Sequence, residues 1–206
     1  MGRIVLHTAA NREVDAATLR DMFRLRYEVF KERLQWDIVC PNGLDCDDFD
    51  ALNPVYALYL NDLGRVEGCW RILPTTGPYM LKDVFPQLVE NEPVPRHGDV
   101  WEISRFAVSS LDPRYSSLAS LHWITGQLLV TLLEFGLNNR IKRFVAASDV
   151  RFERILKRSG LTVHRMGSVQ RIGTTPSVAG WIHVTPEHMA QVMERCPVAL
   201  EELQAA

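Results

Sequence analysis

WEISRFAV, residues 101–108, sets two charged residues inside an apolar run. Trp101, Ile103, Phe106, Ala107 and Val108 make it a buried strand, yet Glu102 and Arg105 stand inside it. An ionised carboxylate or guanidinium in an apolar interior is expensive unless it is paired or used. An unbroken strand puts residues 102 and 105 on opposite faces. A β-bulge between them brings both to one cleft, and bulges concentrate beside active sites.

Working outward, residues 3–7 read as a first strand and 15–33 as a helix, followed by an acidic, irregular stretch over 37–54 that ends in Asn53-Pro54. Residues 55–60 and 65–73 alternate like the arms of a hairpin around Asp62-Leu63-Gly64. A short apolar segment, 80–88, precedes the central strand. Beyond it, 116–137 has helical periodicity, 143–148 reads as a strand, and a basic helix over 151–159 stops at Gly160. Strands near 162–166 and 179–184 and a helix opening at Thr185-Pro186-Glu187 complete the pattern. Strands alternating with helices in the second half predict one domain over 1–206. Its expected form is a three-layer α/β/α sandwich around a mixed, mostly antiparallel sheet.

Glu102 and Arg105 are not alone. Arg26 has Met22, Phe23, Val29 and Phe30 as its helical neighbours, whereas Arg24 has Arg20, Asp21, Tyr27 and Glu28. Arg26 therefore points inward and Arg24 outward. Arg71 shares a strand face with Cys69 and Leu73. Acidic partners are at hand: residues 34–64 contain no Lys or Arg but hold Asp37, Asp45, Asp47, Asp48, Asp50 and Asp62. One helical turn sets Asp47 and Asp50 on the same side. Phe30, Trp36, Phe85 and Trp101 add aromatic surface that serves either as core or as a cation–π wall.

Composition narrows the function. The chain has 206 residues, 47% of them hydrophobic, and a formal net charge of −2, which argues against a dedicated nucleic-acid binder. No apolar run reaches membrane-spanning length, and residues 1–11 lack a signal-peptide pattern. Cys40, Cys46, Cys69 and Cys196 are scattered without a C-x-x-C pair, so neither structural zinc nor a disulfide framework is expected, and a cytoplasmic location fits.

As a set, Arg26-x3-Phe30-x5-Trp36, Asp47-x2-Asp50, Arg71 and Glu102-x2-Arg105 resemble the acyl-homoserine-lactone synthases, the autoinducer makers of quorum sensing. The match runs through GCWRILPTTGPYMLKDVFP (68–86) and WEISRF (101–106) and more loosely to about residue 184. The resemblance implies an N-acyltransferase-like fold with no cofactor and no metal. Two substrates are implied, S-adenosylmethionine and acyl carrier protein bearing an acyl chain. The reaction it implies is acylation of the methionyl amine, then lactone closure with loss of methylthioadenosine. Arg26, Asp47, Asp50, Arg71, Glu102 and Arg105 fall on its catalytic positions. Phe30, Trp36, Trp101, Ser104 and Phe106, with Arg26 and Arg105, fall on its S-adenosylmethionine surface.

Within that implied chemistry Glu102 is the natural general base, directly or through a water. Strand N–H groups near residues 104–107 would meet the oxyanion. An acyl tunnel is expected against Leu118, Leu121, Ile124, Leu128, Leu129 and Leu132, with Ile103, Ala146, Ser148 and Phe152 around it. Makers of 3-oxo lactones often carry Thr where Ala146 aligns. Ala146 cannot bond a 3-oxo group, although Ser148, two residues on and on the same strand face, offers a hydroxyl for it; an unsubstituted or 3-hydroxy medium-to-long chain is favoured. Arg151, Arg154, Lys157 and Arg158 suit docking of an acidic carrier protein. Two rivals stay open. One is an acyl-CoA-dependent N-acyltransferase, disfavoured by the glycine-free turn LDPRYSSLAS (111–120). The other is a catalytically silent ligand-binding domain.

Overall fold

A computed structural model describes residues 2–109 and 118–196, with side chains described for 2–109 and 123–196. The strands are β1 (Arg3–His7), β2 (Val55–Leu60), β3 (Val66–Pro74), β4 (Val100–Val108), β5 (Arg143–Asp149), β6 (His164–Arg165), β7 (Gln170–Ile172) and β8 (Thr175–His183). The α-helices are α1 (Ala16–Tyr27), α2 (Met80–Asp83), α3 (Leu118–Asn138), α4 (Val150–Arg158) and α5 (Pro186–Arg195). The chain packs as two compact units, Met1–Ile72 with Arg105–Leu128, and Leu73–Ser104 with Leu129–Ala206.

In the first unit β1 pairs antiparallel with β2 and β2 with β3, and β3 lies beside β4. Leu58 opposite Cys69 and Leu60 opposite Val66 face α1 and the turn after it, where Met22 and Leu25 of the helix and Val29 and Phe30 of the turn close the core. The register skips Glu67, a bulge in the second arm of the hairpin. On the opposite face Tyr59 pairs with Gly68, and α3 lies so close that a Cβ on Gly68 would stand 2.8 Å from Ile124 Cγ2. Asp15 caps α1 by accepting from Thr18 N–H, as Asp does at a helix start. The helix then widens into a π-helical turn over Glu28–Arg33, a distortion frequent at functional sites.

In the second unit β4 runs parallel to β5 only from Val100 to Glu102, while β5 pairs antiparallel with β8 along its length. β6 and β7 add to β8. One face buries Val145 and Ala179 with Tyr79, Leu81, Leu88 and Met166. The other carries Phe144 against Gly136 of α3, where a Cβ would meet the ring at 3.0 Å. Helices and loops thus cover both faces of a mixed, mostly antiparallel sheet.

Three elements depart from the sequence reading. The irregular stretch contains 3-10 turns at Pro41–Gly43 and Asp48–Leu52. β7 was not expected, and β8 begins at Thr175, not at 179, because Gly173 (φ 58°) turns a hairpin that reads as loop in sequence. The turn 111–117 and the side chains of Leu118 and Leu121, expected to bear on the donor and the acyl tunnel, lie outside the described residues. Gly160 does end α4, with φ 96°.

Candidate active site

The inward arginines of the first unit meet the acidic stretch. Arg26 Nε donates to Asp45 Oδ2 at 3.1 Å, and its two terminal nitrogens grip Asp50 at 2.8 and 3.0 Å. Arg71 reaches both Asp47 and Asp50. Arg105 contacts Asp45 at 2.9 Å and Asp47 at 3.0 Å. Three cations and three anions form one charge-balanced network, the condition under which burial of ions is tolerable. Local structure aims the acids: Asp47 caps the turn Asp48–Leu52, accepting from Phe49 N–H, while Asp50 accepts from Asp47 N–H.

The network is sealed at its centre and opens toward Asp47 and Arg105. Side-chain exposure is 1% for Arg26, 0% for Arg71 and 3% for Asp45 and Asp50, but 8% for Arg105 and 23% for Asp47. Burial alone would raise the Asp50 carboxyl; the bidentate bond and charge of Arg26, with the charge of Arg71, pull it well below the carboxylate range. Tyr56 donates to Asp50 at 2.7 Å, and burial together with that anion pushes its phenol upward. Arg105 is the reverse case: burial lowers it, and the nearby Arg26 adds to the effect.

Arg105 also has an unusual backbone within β4. Its φ is 56°, a left-handed conformation that costs a non-glycine residue roughly 1–2 kcal/mol. Its guanidinium lies 5.5 Å from the Phe30 ring, which stacks on Trp36 at 4.7 Å. Phe106 packs against Trp70 at 4.9 Å. The element missed from sequence was Asp45, which binds two of the three arginines. Its signal was its place in the Lys- and Arg-free run, two residues before Asp47.

Glu102, in the second unit, is fully buried, and its two oxygens accept from Met80 N–H at 3.0 Å and Leu81 N–H at 2.6 Å, the first amides of α2. Burial, then the Glu102 and Asp83 charges, push the Tyr79 phenol up. Trp101 packs edge-on to Phe135 at 5.8 Å, and its indole donates to Gly98 O. Ser104 is half-buried.

A shallow, largely apolar hollow with a cavity volume of about 20 Å³, partly open to solvent, lies in the second unit; Ile103, Ala146, Ser148, Glu153, Val163 and Gly180 are among its lining residues. The cross-strand pair Ala146–Gly180 supplies the small residues that leave this space. Of the residues named for the acyl tunnel, Ile103, Ala146 and Ser148 line this hollow. Leu128, which belongs to the first unit, and Phe152, one turn before Leu156 on α4, are not among its lining residues. Along α4, Arg151, Arg154, Lys157 and Arg158 are all exposed, but Arg151 is held by Asp149 and Lys157 by Glu153, each at 2.7 Å. Arg154 and Arg158 have no acidic partner among the described residues. Nor do these residues bring three or more His, Cys, Asp or Glu together to hold a metal ion. No helix among them is long and apolar enough to cross a membrane.

Residues 10–192 match the autoinducer synthase family. The acyl-homoserine-lactone synthase of Aliivibrio fischeri strain ES114 is 39% identical over 161 residues, covering 77% of this chain and 82% of the relative. Among solved structures, the synthase LasI superposes with a TM-score of 0.83 at 34% identity, over 94% of this chain and 95% of LasI. The CoA-dependent synthase BjaI, solved with S-adenosylmethionine and isopentyl-CoA, gives 0.85 at 26% identity, over 96% and 90%. The chain belongs to the autoinducer synthase family and is an acyltransferase of the acyl-homoserine-lactone synthase type.

Proposed function

We propose that this enzyme transfers an acyl chain from acyl carrier protein to the amine of S-adenosylmethionine and then closes the lactone, releasing methylthioadenosine. The observation that carries the reading is the ionic network of the first unit, open along Asp47 and Arg105 and leading through Arg105 to the Phe30–Trp36 stack. A carboxylate beside an aromatic pair suits a ligand bearing an ammonium and a sulfonium. Arg26, Arg71 and Asp50 are engaged in ion pairs with one another and act as positioning residues. Asp47 and Arg105 are the members that reach substrate. BjaI binds S-adenosylmethionine in its own structure, which supports the same ligand here.

In acylation the amine gives up a proton and its nitrogen attacks the thioester carbonyl; the C–S bond breaks and the carrier thiol leaves. Glu102 takes that proton. It acts directly or through a bridging water. Strand N–H groups between Ser104 and Ala107 meet the oxyanion. In lactonisation a carboxylate oxygen attacks the methionyl γ-carbon and the C–S⁺ bond breaks onto sulfur. The sulfonium leaves without acid help, so the protein's task is to hold the folded-back conformer. The apolar hollow takes the acyl chain, and Arg154 and Arg158 engage the acidic carrier protein. The free thiols of Cys40, Cys46, Cys69 and Cys196 suit a reducing cytoplasm.

A second reading, an acyl-CoA donor, is favoured by the CoA-dependence of BjaI. Purified enzyme given S-adenosylmethionine with either acyl carrier protein or CoA thioesters separates the two by lactone and methylthioadenosine yield. Glu102→Gln is expected to lower turnover by roughly 10²–10⁴-fold. Lactone synthesis undiminished in that variant removes Glu102 as the base, and no lactone from either donor removes the whole reading.

A further inference from the structure

Glu153 lines the hollow but is not an apolar residue, and none of the chemistry above uses it. Its side chain is 3% exposed, and it is gripped from two directions. Arg165 of β6 binds it in bidentate fashion at 3.0 and 2.7 Å, and Lys157, one turn on along α4, at 2.7 Å. The Arg165 bonds, with Lys157 second, outweigh burial and draw its carboxyl down to about 2. Both cations are themselves half in solvent, 44% and 52% exposed, so the carboxylate is the only sealed member of the set.

The elements it joins are the ones that wall the cavity. α4 contributes Glu153 and Leu156 to the lining, and the segment entering β6 contributes Val163. β6 is a short strand with two residues in register with β8, continued by Met166 N–H bonding to Ala179 O and by the His164 ring stacked on Trp181. Its approach is tight: a Cβ on Gly180 would stand 3.0 Å from His164 O and 3.2 Å from Val163 Cγ1. A short strand pressed onto the cavity floor, with its Arg165 tied to a buried carboxylate on the facing helix, is a closure device.

We propose that Glu153, with Arg165 and Lys157, is a specificity-determining latch that holds α4 against the β6 segment and so fixes the width of the acyl cavity. The proposal rests on the reading that this cavity receives the acyl chain. Loosening the latch lets the wall move outward and admits longer chains, with S-adenosylmethionine handling untouched.

The test compares kcat/KM for two saturated acyl donors differing by two methylenes in Glu153→Gln, Arg165→Gln and Ala146→Leu. Thermal melts establish that each variant is folded. Arg165→Gln serves if Glu153→Gln does not fold, since it alters an exposed partner and leaves Lys157 on the carboxylate. The latch predicts a long-to-short ratio raised roughly tenfold in both latch variants, with the KM for S-adenosylmethionine unchanged, and a lowered ratio in Ala146→Leu, which fills the cavity. If Ala146→Leu shifts the ratio and the latch variants do not, or if they lose activity equally for both donors, the latch is overturned and the cavity reading survives. An unmoved ratio in Ala146→Leu overturns the cavity reading and the latch with it.

Discussion

Replacing Asp50 with Asn removes one negative charge at the point where Arg26, Arg71 and Tyr56 converge, without changing side-chain volume. Arg26 and Arg71, 0% and 1% exposed as whole residues, are then left with two acids for three buried guanidiniums, counting Arg105. Removing one partner of a buried, hydrogen-bonded ion set costs about 3–5 kcal/mol, because the surviving charge cannot recover its hydration. The new amide also presents N–H groups to a site furnished with donors: Arg26 at 2.8 and 3.0 Å, Arg71 at 3.0 Å and Tyr56 at 2.7 Å. With a urea m-value of about 2–3 kcal/mol/M, the unfolding midpoint falls by about 1–2 M. Urea titration at pH 7, followed by tryptophan fluorescence and far-UV circular dichroism, reads this directly. The double variant Arg26→Met/Asp50→Asn restores charge balance and is expected to lose less than the sum of the singles. A loss below about 1 kcal/mol for Asp50→Asn, the value of a solvent-screened pair, refutes the claim that the network is sealed.

The same network and the Glu153 latch set an acid limit. Both carboxyls are depressed in the folded protein, so their stabilisation is complete above their unfolded values of 3.8 and 4.5 and is lost as pH falls below them, toward about 2 for Glu153. Acid titration of Glu153→Gln is therefore expected to show a shallower fall between pH 4.5 and 2 than the parent. Arg105→Ala keeps the left-handed backbone of residue 105, whereas Arg105→Gly relieves it. Both lose the ion pairs, yet the glycine variant is expected to melt as the more stable by about 1 kcal/mol. Gly68→Ala puts a methyl 2.8 Å from Ile124 and 3.0 Å from Leu128, an overpacking cost of about 1–3 kcal/mol in denaturant titration. Gly77→Ala, with nothing within 4 Å of the added Cβ, is expected to stay within about 0.5 kcal/mol of the parent.

Local pattern carried much of this structure. The 3.6-residue period around Arg26 placed it inward and Arg24 outward, and Arg26 is buried while Arg24 is exposed. The hairpin turn, the Gly160 stop and the Thr185 cap follow from backbone chemistry that acts over a few residues. An arginine-free acidic stretch facing three inward arginines announced a buried ionic network, since such charges have few other ways to be tolerated. β7 escaped because a three-residue strand has too few residues to show a period, and its pairing with β8 depends on a turn at Gly173.

Local pattern thus reached as far as the elements and the inward charges, and the motifs built on them carried the resemblance to the family. Packing in three dimensions settled which acid meets which arginine, because several carboxylates within six residues are equivalent in one dimension and become distinct only when a capping turn aims each one. It also drew Leu128 and Phe152 away from the cavity wall and enlisted Glu153 in it. Helical and strand periods fix the side of an element a residue occupies; which neighbour that side meets depends on packing between segments far apart along the chain.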